Sequence, residues 1–333
     1  MNLTTIDQQE FGALTEPHRR ELYVHCYRMM GSVQDAEDMV QDTFLKAWRR
    51  RETFEGRASF RAWLYKIATN VCLDALEKRT RRVIPFTREG VSTLDQPIPP
   101  DVNEPIWLEP FPDDWLAYDD VGPDGHYVER ENITLAFIAV LHLLPPRQRA
   151  VLILRDVLEW EASEVADLLG VTVASVKSAL HRARQTMTAH TRANLEGIAP
   201  KTLDHERQSL LENYVHAWQT ADINGLLALL REDATFSMPP IPSWYQGRTT
   251  IGGLVKKTIF AGQASGRWRL LPTRANGQIA FGLYRRDETQ GVYSFYAIQV
   301  LTFGDDGQIA DIITFRNPAL ASKFNLPYTM PIL

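Results

Sequence analysis

The sequence predicts a multidomain chain: two all-α domains, the second built on a helix-turn-helix, followed by an α+β domain shaped as a cone. Three observations carry this. A chain of 333 residues exceeds what one hydrophobic core usually organises. Apolar residues recur at spacings of three and four as far as about residue 196, then alternate at a spacing of two in several short runs, which marks helices giving way to strands. Between the two helical parts, residues 83–130 are rich in proline and acid.

The first domain spans 1–82. Leu14 to Met30 reads as one helix with Leu22, Cys26 and Met29 on its inner face, ended by Gly31-Ser32. Asp35 to Arg50 reads as a second, acidic at its start and basic at its end, as the helix dipole favours. Its core stripe is Met39, Val40, Phe44, Ala47 and Trp48, which leaves Asp38, Gln41, Asp42 and Leu45 on neighbouring faces. A short bridge, RETFEGRASF, leads to a third helix from Phe60 to Lys78. That helix turns Trp63, Leu64, Ile67, Ala68, Val71 and Ala75 inward and Arg61, Lys66, Asn70, Lys78, Arg79, Arg81 and Arg82 outward.

Segment 83–130 carries 2 basic against 11 acidic side chains and so holds the whole acidic excess of a chain whose net charge is −5. The other domains are near neutral or slightly basic, and the pI of the whole chain hides this. Trp107-Leu-Glu-Pro-Phe-Pro-Asp-Asp-Trp-Leu, inside this linker, is too aromatic for a featureless tether. It reads as a strap packing Trp107 and Phe111 on a neighbouring domain.

The second helical domain, 131–196, contains the helix-turn-helix. Ala162 to Leu169 forms one helix, and Gly170 supplies the left-handed residue at which it stops. Thr172 caps the next helix, whose apolar stripe is Val173, Val176, Leu180, Ala183 and Met187. Its other faces carry Ala174, Ser175, Lys177, Ser178, His181, Arg182 and Arg184, and no acid occurs between Leu168 and Leu195. Short side chains with cations suit the major groove. In that reading Ser175, Lys177 and Ser178 meet bases, and Arg182 and Arg184 meet phosphate. The competing reading is a helical hairpin with a solvated basic face.

From 202 to 326 the pattern is α+β. Helices over Leu203–Thr220 and Ile223–Arg231 precede strands at Thr235–Met238, Gln278–Arg285, Val292–Phe303 and Ile309–Arg316. Asn276-Gly277 and Asp306-Gly307 supply hairpin turns. A curled sheet of this kind encloses a pocket, with Trp218, Met238, Trp244, Tyr245, Tyr296 and Phe315 as candidate walls, each of which also suits plain core. Asp233 reads as support for the helix-to-strand junction. Asp311, the acid within a strand, is the candidate general base if the domain catalyses, although its facing is left open by the alternation.

Two long motifs then resemble a known family. Asp35-Ala-Glu-Asp-Met-Val-Gln-Asp-Thr-Phe-Leu-Lys-Ala-Trp, followed by Phe60-Arg-Ala-Trp-Leu-Tyr-Lys-Ile-Ala-Thr-Asn, resembles region 2 of the extracytoplasmic-function (ECF) sigma factors, and the stretch from Leu144 to Met187 resembles their region 4. The run from Asp204 to Pro318 looks like the SnoaL-like branch of the NTF2-like superfamily, and its fusion to a sigma factor, like the linker, resembles the sigma-G-like subgroup. The resemblance implies an alternative sigma factor whose partners are core RNA polymerase, at the β′ clamp and β flap, and promoter DNA. Asp38, Gln41, Asp42 and Leu45 would dock on the clamp. Phe54, Arg57, Ser59 and Phe60 would hold a base flipped from the −10 element, with Arg61, Lys66, Asn70 and Arg79 along the strand. The Thr172 helix would read the −35 element, and the acidic linker would mimic nucleic acid in the polymerase's RNA path. For Phe54 and Phe60 core packing is the alternative; for Trp63 it is the favoured reading.

The sequence offers no G-x-x-x-x-G-K-[ST], G-x-G-x-x-G or H-E-x-x-H motif, and Cys26 and Cys72, with no C-x-x-C, read as buried thiols. No cofactor, metal or membrane partner is expected, and with neither leader nor span visible the expected location is cytoplasmic. The C-terminal domain is expected to regulate, with a small-molecule ligand as its candidate partner. The alternative is an NTF2-like enzyme or ligand carrier that retains sigma-like domains.

Overall fold

The computed structural model describes residues 6–54, 56, 59–77, 82–84, 90–102, 107–116, 133–194, 205–262 and 264–332. It divides into two compact units. The first contains residues 1–82 and 115–194 and the second residues 83–114 and 195–333.

The first unit is all helix. Asp7 and Glu10 form a reciprocal capping box on α1 (Gln8–Thr15). The single helix expected over Leu14–Met30 is broken, because Pro17 lacks the amide that would continue it; a 3₁₀ turn, Glu16–His18, separates α1 from α2 (Arg19–Met30). Gly31 ends α2 in the left-handed conformation and Ser32 caps α3 (Val33–Arg49) by accepting from the Asp35 amide. α4 runs Phe60–Leu76, capped by Ser59. Leu22, Cys26, Met29, Ala47, Leu64, Ala68 and Cys72 are wholly buried between these helices, both cysteines as free thiols. His25 joins α2 to α4 through Thr69 Oγ1 at 2.9 Å, and burial, with Arg28 and Arg61 nearby, lowers its pKa to about 3, so it is held neutral.

Arg82 departs from the sequence reading. It is buried, not outward, and donates from Nη2 to Asp35 Oδ2 at 2.6 Å. The carboxylate in the first turn of α3 draws the guanidinium in, since a buried cation requires a partner. Lys78, Arg79 and Arg81 lie outside the described residues.

The rest of this unit is α5 (Leu135–Leu141), α6 (Pro146–Leu152) with a π turn at Ile153–Val157, α7 (Ala162–Leu169) and α8 (Val173–Asn194). Gly170 stops α7 at φ 64°, and Thr172 Oγ1 accepts from the Ser175 amide at 3.1 Å. Val176, Leu180 and Ala183 are buried, and α8 packs on α5, α6 and α7. Val173, expected in the stripe, is exposed because it stands in the first turn, before the helix meets its neighbours.

The second unit is α+β. Two helices, α9 (His205–Thr220) and α10 (Ile223–Ala228), precede β1 (Leu230–Ser237) and β2 (Trp244–Gln246). Then come α11 (Arg248–Leu254) with a π turn, β3 (Trp268–Ala275), β4 (Gln278–Asp287), β5 (Val292–Phe303), β6 (Ile309–Phe315), α12 (Leu320–Lys323) and β7 (Thr329–Pro331). The sheet order is β2-β1-β6-β5-β4-β3, with β7 added beside β5. Alternation sends Phe236, Phe281, Leu283, Ala297, Leu301 and Ile312 into a core shared with α9, α10 and α11.

The opposite sheet face carries Ala280, Gly282, Tyr284, Ile298, Val300, Ile313 and Phe315. The C-terminal tail packs there. A Cβ on Gly282 would stand 2.7 Å from Leu326 Cδ1, Tyr284 Oη donates to the Pro327 carbonyl at 2.8 Å, and Leu320 and Phe324 are buried.

Residues 83–114 belong to this same unit. The Phe111 amide donates to Asn276 Oδ1 at 2.7 Å, and the Asn276 amide returns a bond to the Phe111 carbonyl at 2.8 Å. Asp113 accepts from the Gly277 amide and from Arg274. Asn276 is left-handed at φ 56°, so the Asn276-Gly277 turn that closes the β3–β4 hairpin also receives the linker. Trp107, Leu108 and Phe111 are buried. Deleting the ring with Phe111→Ala is expected to destabilise this unit by about 3–5 kcal/mol, the range for Phe→Ala in a core. Hydrogen exchange should show β4 deprotected and α3 unchanged; equal loss in both, or in neither, contradicts this packing.

Candidate nucleic-acid interface and C-terminal cavity

On α3 the inner positions Met39, Val40, Thr43 and Ala47 are buried, which places Asp38, Gln41, Asp42 and Leu45 outside. Leu45 is 54% exposed. A large apolar side chain among exposed carboxylates is an unusual surface and suits a partner. Asp38 accepts from Gln34 Nε2 at 3.2 Å.

Beyond α3, the aromatic residues gather. Phe60 lies 5.7 Å from Phe54, 5.8 Å from Trp63, 6.3 Å from Phe11 and 5.8 Å from His18. Phe54 and Trp63 stand 5.5 Å apart. All of Phe54, Phe60 and Trp63 are half-buried, so the cluster packs while one side of it meets solvent. Ser59 is spent on capping α4, and Arg57 lies outside the described residues. Arg61 is committed: its Nε donates to Glu21 Oε2 at 2.6 Å and its guanidinium lies 4.9 Å over the Tyr65 ring. Lys66 Nζ reaches the Asp167 carbonyl on α7 at 3.3 Å, and Asn70 bonds back to the Lys66 carbonyl at 2.9 Å.

On α8, Ala174, Lys177, Ser178, His181 and Arg182 are exposed and recur at spacings of three and four, so they form one stripe. Thr172 and Ser175 stand at its N-terminal end with their hydroxyls 2.9 Å apart. Arg182 donates to Ser178 Oγ at 2.7 Å. Arg184 differs, because Asp156 grips it with two bonds of 2.8 and 2.7 Å. That pairing was invisible in the spacing of α8, since the acid comes from the π turn before α7.

The C-terminal unit encloses a cavity of about 220 Å³. Trp218, Met238 and Tyr296 line it as expected; Trp244, Tyr245 and Phe315 do not. Phe315 faces the other side of the sheet opposite Ile298, and Tyr245 is buried in register with Phe236. Tyr296 reaches the cavity through a bulge, because the register passes from Leu283–Ala297 to Tyr284–Phe295 and leaves it unopposed. A bulge of this kind re-aims a side chain.

The sequence reading missed the polar part of the wall, Arg267, Arg285, Arg316, Thr258 and Thr314. These come from four separate segments, so no local motif announces them. Asp311 is not in the wall. It pairs with Thr302 and Thr235 on the opposite sheet face and accepts from Thr235 Oγ1 at 2.5 Å. Asp233 holds Arg231, the second residue of β1, at 2.9 and 3.0 Å, close behind the end of α10. Among the described residues no group of His, Cys, Asp or Glu is placed to hold a metal, and no helix is long and apolar enough to cross a membrane.

Comparison with known proteins agrees with this architecture. Residues 14–82 match the Sigma-70 region 2 family, 134–187 match Sigma-70 region 4, and 211–312 match the SnoaL-like domain family. The fold and its sites therefore define a two-domain sigma factor with a fused SnoaL-like domain. The chain is 42% identical to ECF RNA polymerase sigma factor SigG of Mycobacterium tuberculosis over 96% of its own length and 84% of that protein's. It is 27% identical to ECF RNA polymerase sigma factor SigW of Bacillus subtilis over 56% of its length and 91% of that protein's. The crystal structure of the M. tuberculosis ECF sigma factor SigJ superposes with a TM-score of 0.55 at 23% identity, covering 97% of this chain and all of that one. The chain belongs to the ECF sigma factors, and it acts as an alternative sigma factor of RNA polymerase.

Two expectations follow from the geometry. Asp156→Asn releases Arg184 to a phosphate, so DNA binding by the helix-turn-helix should tighten and its logarithmic salt dependence steepen by about one unit. An unchanged slope means that Arg184 already leaves Asp156 for phosphate in the wild-type complex, or never reaches the backbone. The second concerns Asp311, whose pKa burial raises to about 6. The folded chain then holds this proton more tightly than the unfolded chain, so stability falls as pH rises from about 4 to about 6 and is level above. Asp311→Asn should therefore stabilise the C-terminal unit progressively over that window in chemical denaturation. A stability difference independent of pH contradicts the assignment.

Proposed function

We infer that this sigma factor docks on the β′ clamp of core RNA polymerase through Asp38, Gln41, Asp42 and Leu45, and engages the β flap through region 4. The observation that carries this reading is the exposure of Leu45 among acidic and amide groups on the outer face of α3. Phe54 and Phe60, with Ser59 beside them, receive a base extruded from the −10 element; their half-buried rings supply a stacking wall that a wholly buried pair could not. Arg61 and Lys66 serve the melted strand once their present partners, Glu21 and Asp167, release them. At the other module, Ser175, Lys177 and Ser178 meet bases of the −35 element and Arg182 meets phosphate, with Ala174 and His181 along the same stripe. The chain works in the cytoplasm, where the polymerase is.

The SnoaL-like domain regulates and does not catalyse. Supporting a regulatory role, the linker between regions 2 and 4 contributes Ile98 to the cavity wall and Asp101 to its rim.

Run-off transcription with core polymerase on selected promoter DNA tests the reading. Wild-type chain should direct initiation from a defined start. Asp38→Arg combined with Gln41→Arg should weaken polymerase association more than about tenfold, with helix content and thermal midpoint unchanged. Association at the wild-type level removes α3 as the docking face.

A further inference from the structure

The cavity of the SnoaL-like domain is apolar over most of its wall, with Trp218, Phe236, Met238, Ile241, Trp268 and Leu283 among its lining. Its charged groups are all of one sign. Arg267, Arg285 and Arg316 converge on it and no acid among the described residues lines it. Of the three guanidiniums, one pairs with a carboxylate at the rim, Arg316 with Asp101, so the wall as a whole keeps a positive excess that suits an anion.

Arg316 shows what kind. Its Nη1 donates to Asp101 Oδ1 at 3.0 Å, and its guanidinium lies 5.5 Å over the Tyr296 ring. Its Nε is buried and finds no hydrogen-bond partner among the described residues. A guanidinium grips a carboxylate best with two parallel N–H donors, and here a single bond to a half-exposed side chain leaves that capacity unused. A second donor stands nearby. Tyr214 Oη donates to Gln299 Oε1 at 2.6 Å and Gln299 Nε2 donates to Thr314 Oγ1 at 2.9 Å. Having accepted that bond, the Thr314 hydroxyl keeps its own hydrogen to give, and Thr314 is part of the wall.

We propose that this cavity is a binding site for a small apolar carboxylate, an aryl or branched-chain acid, whose apolar body lies against Trp218 and Trp268 and whose carboxylate is taken by Arg316. An apolar cavity of about 150 Å³ admits a benzene-sized molecule, so 220 Å³ holds a ring with a short acid arm. The proposal rests on the regulatory reading of the domain and names its ligand class. It also says how occupancy reaches the sigma domains. Asp101 and Ile98, at the rim and in the wall, belong to the linker that joins regions 2 and 4, so an incoming carboxylate competes with Asp101 for Arg316 and loosens that linker.

Binding is tested on the full chain with phenylacetate and its neutral isostere phenylacetamide, read by tryptophan fluorescence and calorimetry. Phenylacetate should bind about tenfold more tightly than the amide, a difference of about 1.4 kcal/mol. Arg316→Met should abolish that preference while leaving amide binding intact, and Arg285→Gln, at an exposed position that folding does not depend on, should reduce it. Equal binding of acid and amide, or no binding of either into the millimolar range, overturns the proposal. Transcription is measured separately with the same probes. Binding without any change in transcript output leaves the site standing and removes the regulatory reading, so the two fail independently.

Discussion

The helical unit depends on one buried cation. Arg149 is 3% exposed and donates to the carbonyls of Met29, His142 and Leu144, while His142 Nε2 donates to the Arg28 carbonyl at 3.2 Å. Arg28 and Met29 end α2, where helix carbonyls have no partner of their own. Side chains of region 4 thus supply what region 2 lacks. A charge buried without such bonds costs several kcal/mol, so these acceptors are what allow Arg149 to be buried. Lys66 on the Asp167 carbonyl and Tyr65 5.3 Å from Trp160 add to the same contact. Regions 2 and 4 are consequently joined through Arg149 and His142, and the same packing engages Lys66 with the Asp167 carbonyl.

The acidic linker has a second constraint. Its charge alone argues for an extended, solvated tether, yet Asp101 and Asp113 are each spent on an arginine of the SnoaL-like domain, Arg316 and Arg274. The strap is anchored at one end by the Phe111–Asn276 backbone pair and along its middle by Ser92 and Val102, whose amides donate to the carbonyls of Trp244 and Pro240. A segment that connects regions 2 and 4 in sequence is therefore built into the third domain.

Much of this was legible in the sequence where structure is local. Gly170 and Thr172 mark the stop and start of α7 and α8 because capping acts within one turn, and the outer face of α3 follows from the period of its buried residues. What was hidden depends on distance or parity. Arg82 reads as part of a basic surface until Asp35, in the first turn of α3, is brought beside it. β3 escaped because Pro272 breaks its pattern; it is tolerated there since β3 is the sheet's edge strand, where a missing amide breaks no internal ladder. The cavity walls were half right for the same reason. Trp218 and Met238 follow from their elements, whereas Tyr296 enters through a bulge that shifts strand parity.

Parity also decides the chemistry of the third domain. β5 and β6 lose register between Thr302 and Phe303, which is why alternation leaves the facing of Asp311 open; the pairing with Thr302 sends it to the face opposite the core. One extra residue in a strand thereby separates the candidate base Asp311 from the cavity and leaves Thr314 and Arg316 in its wall instead. The same face exchange gives the C-terminal tail its role. With Gly282 lacking a side chain, Leu326 settles against the sheet, and Leu320 and Phe324 are buried with it, so the apolar tail is consumed by its own domain. Ile98 of the linker and the three arginines thus complete the cavity wall in place of the tail.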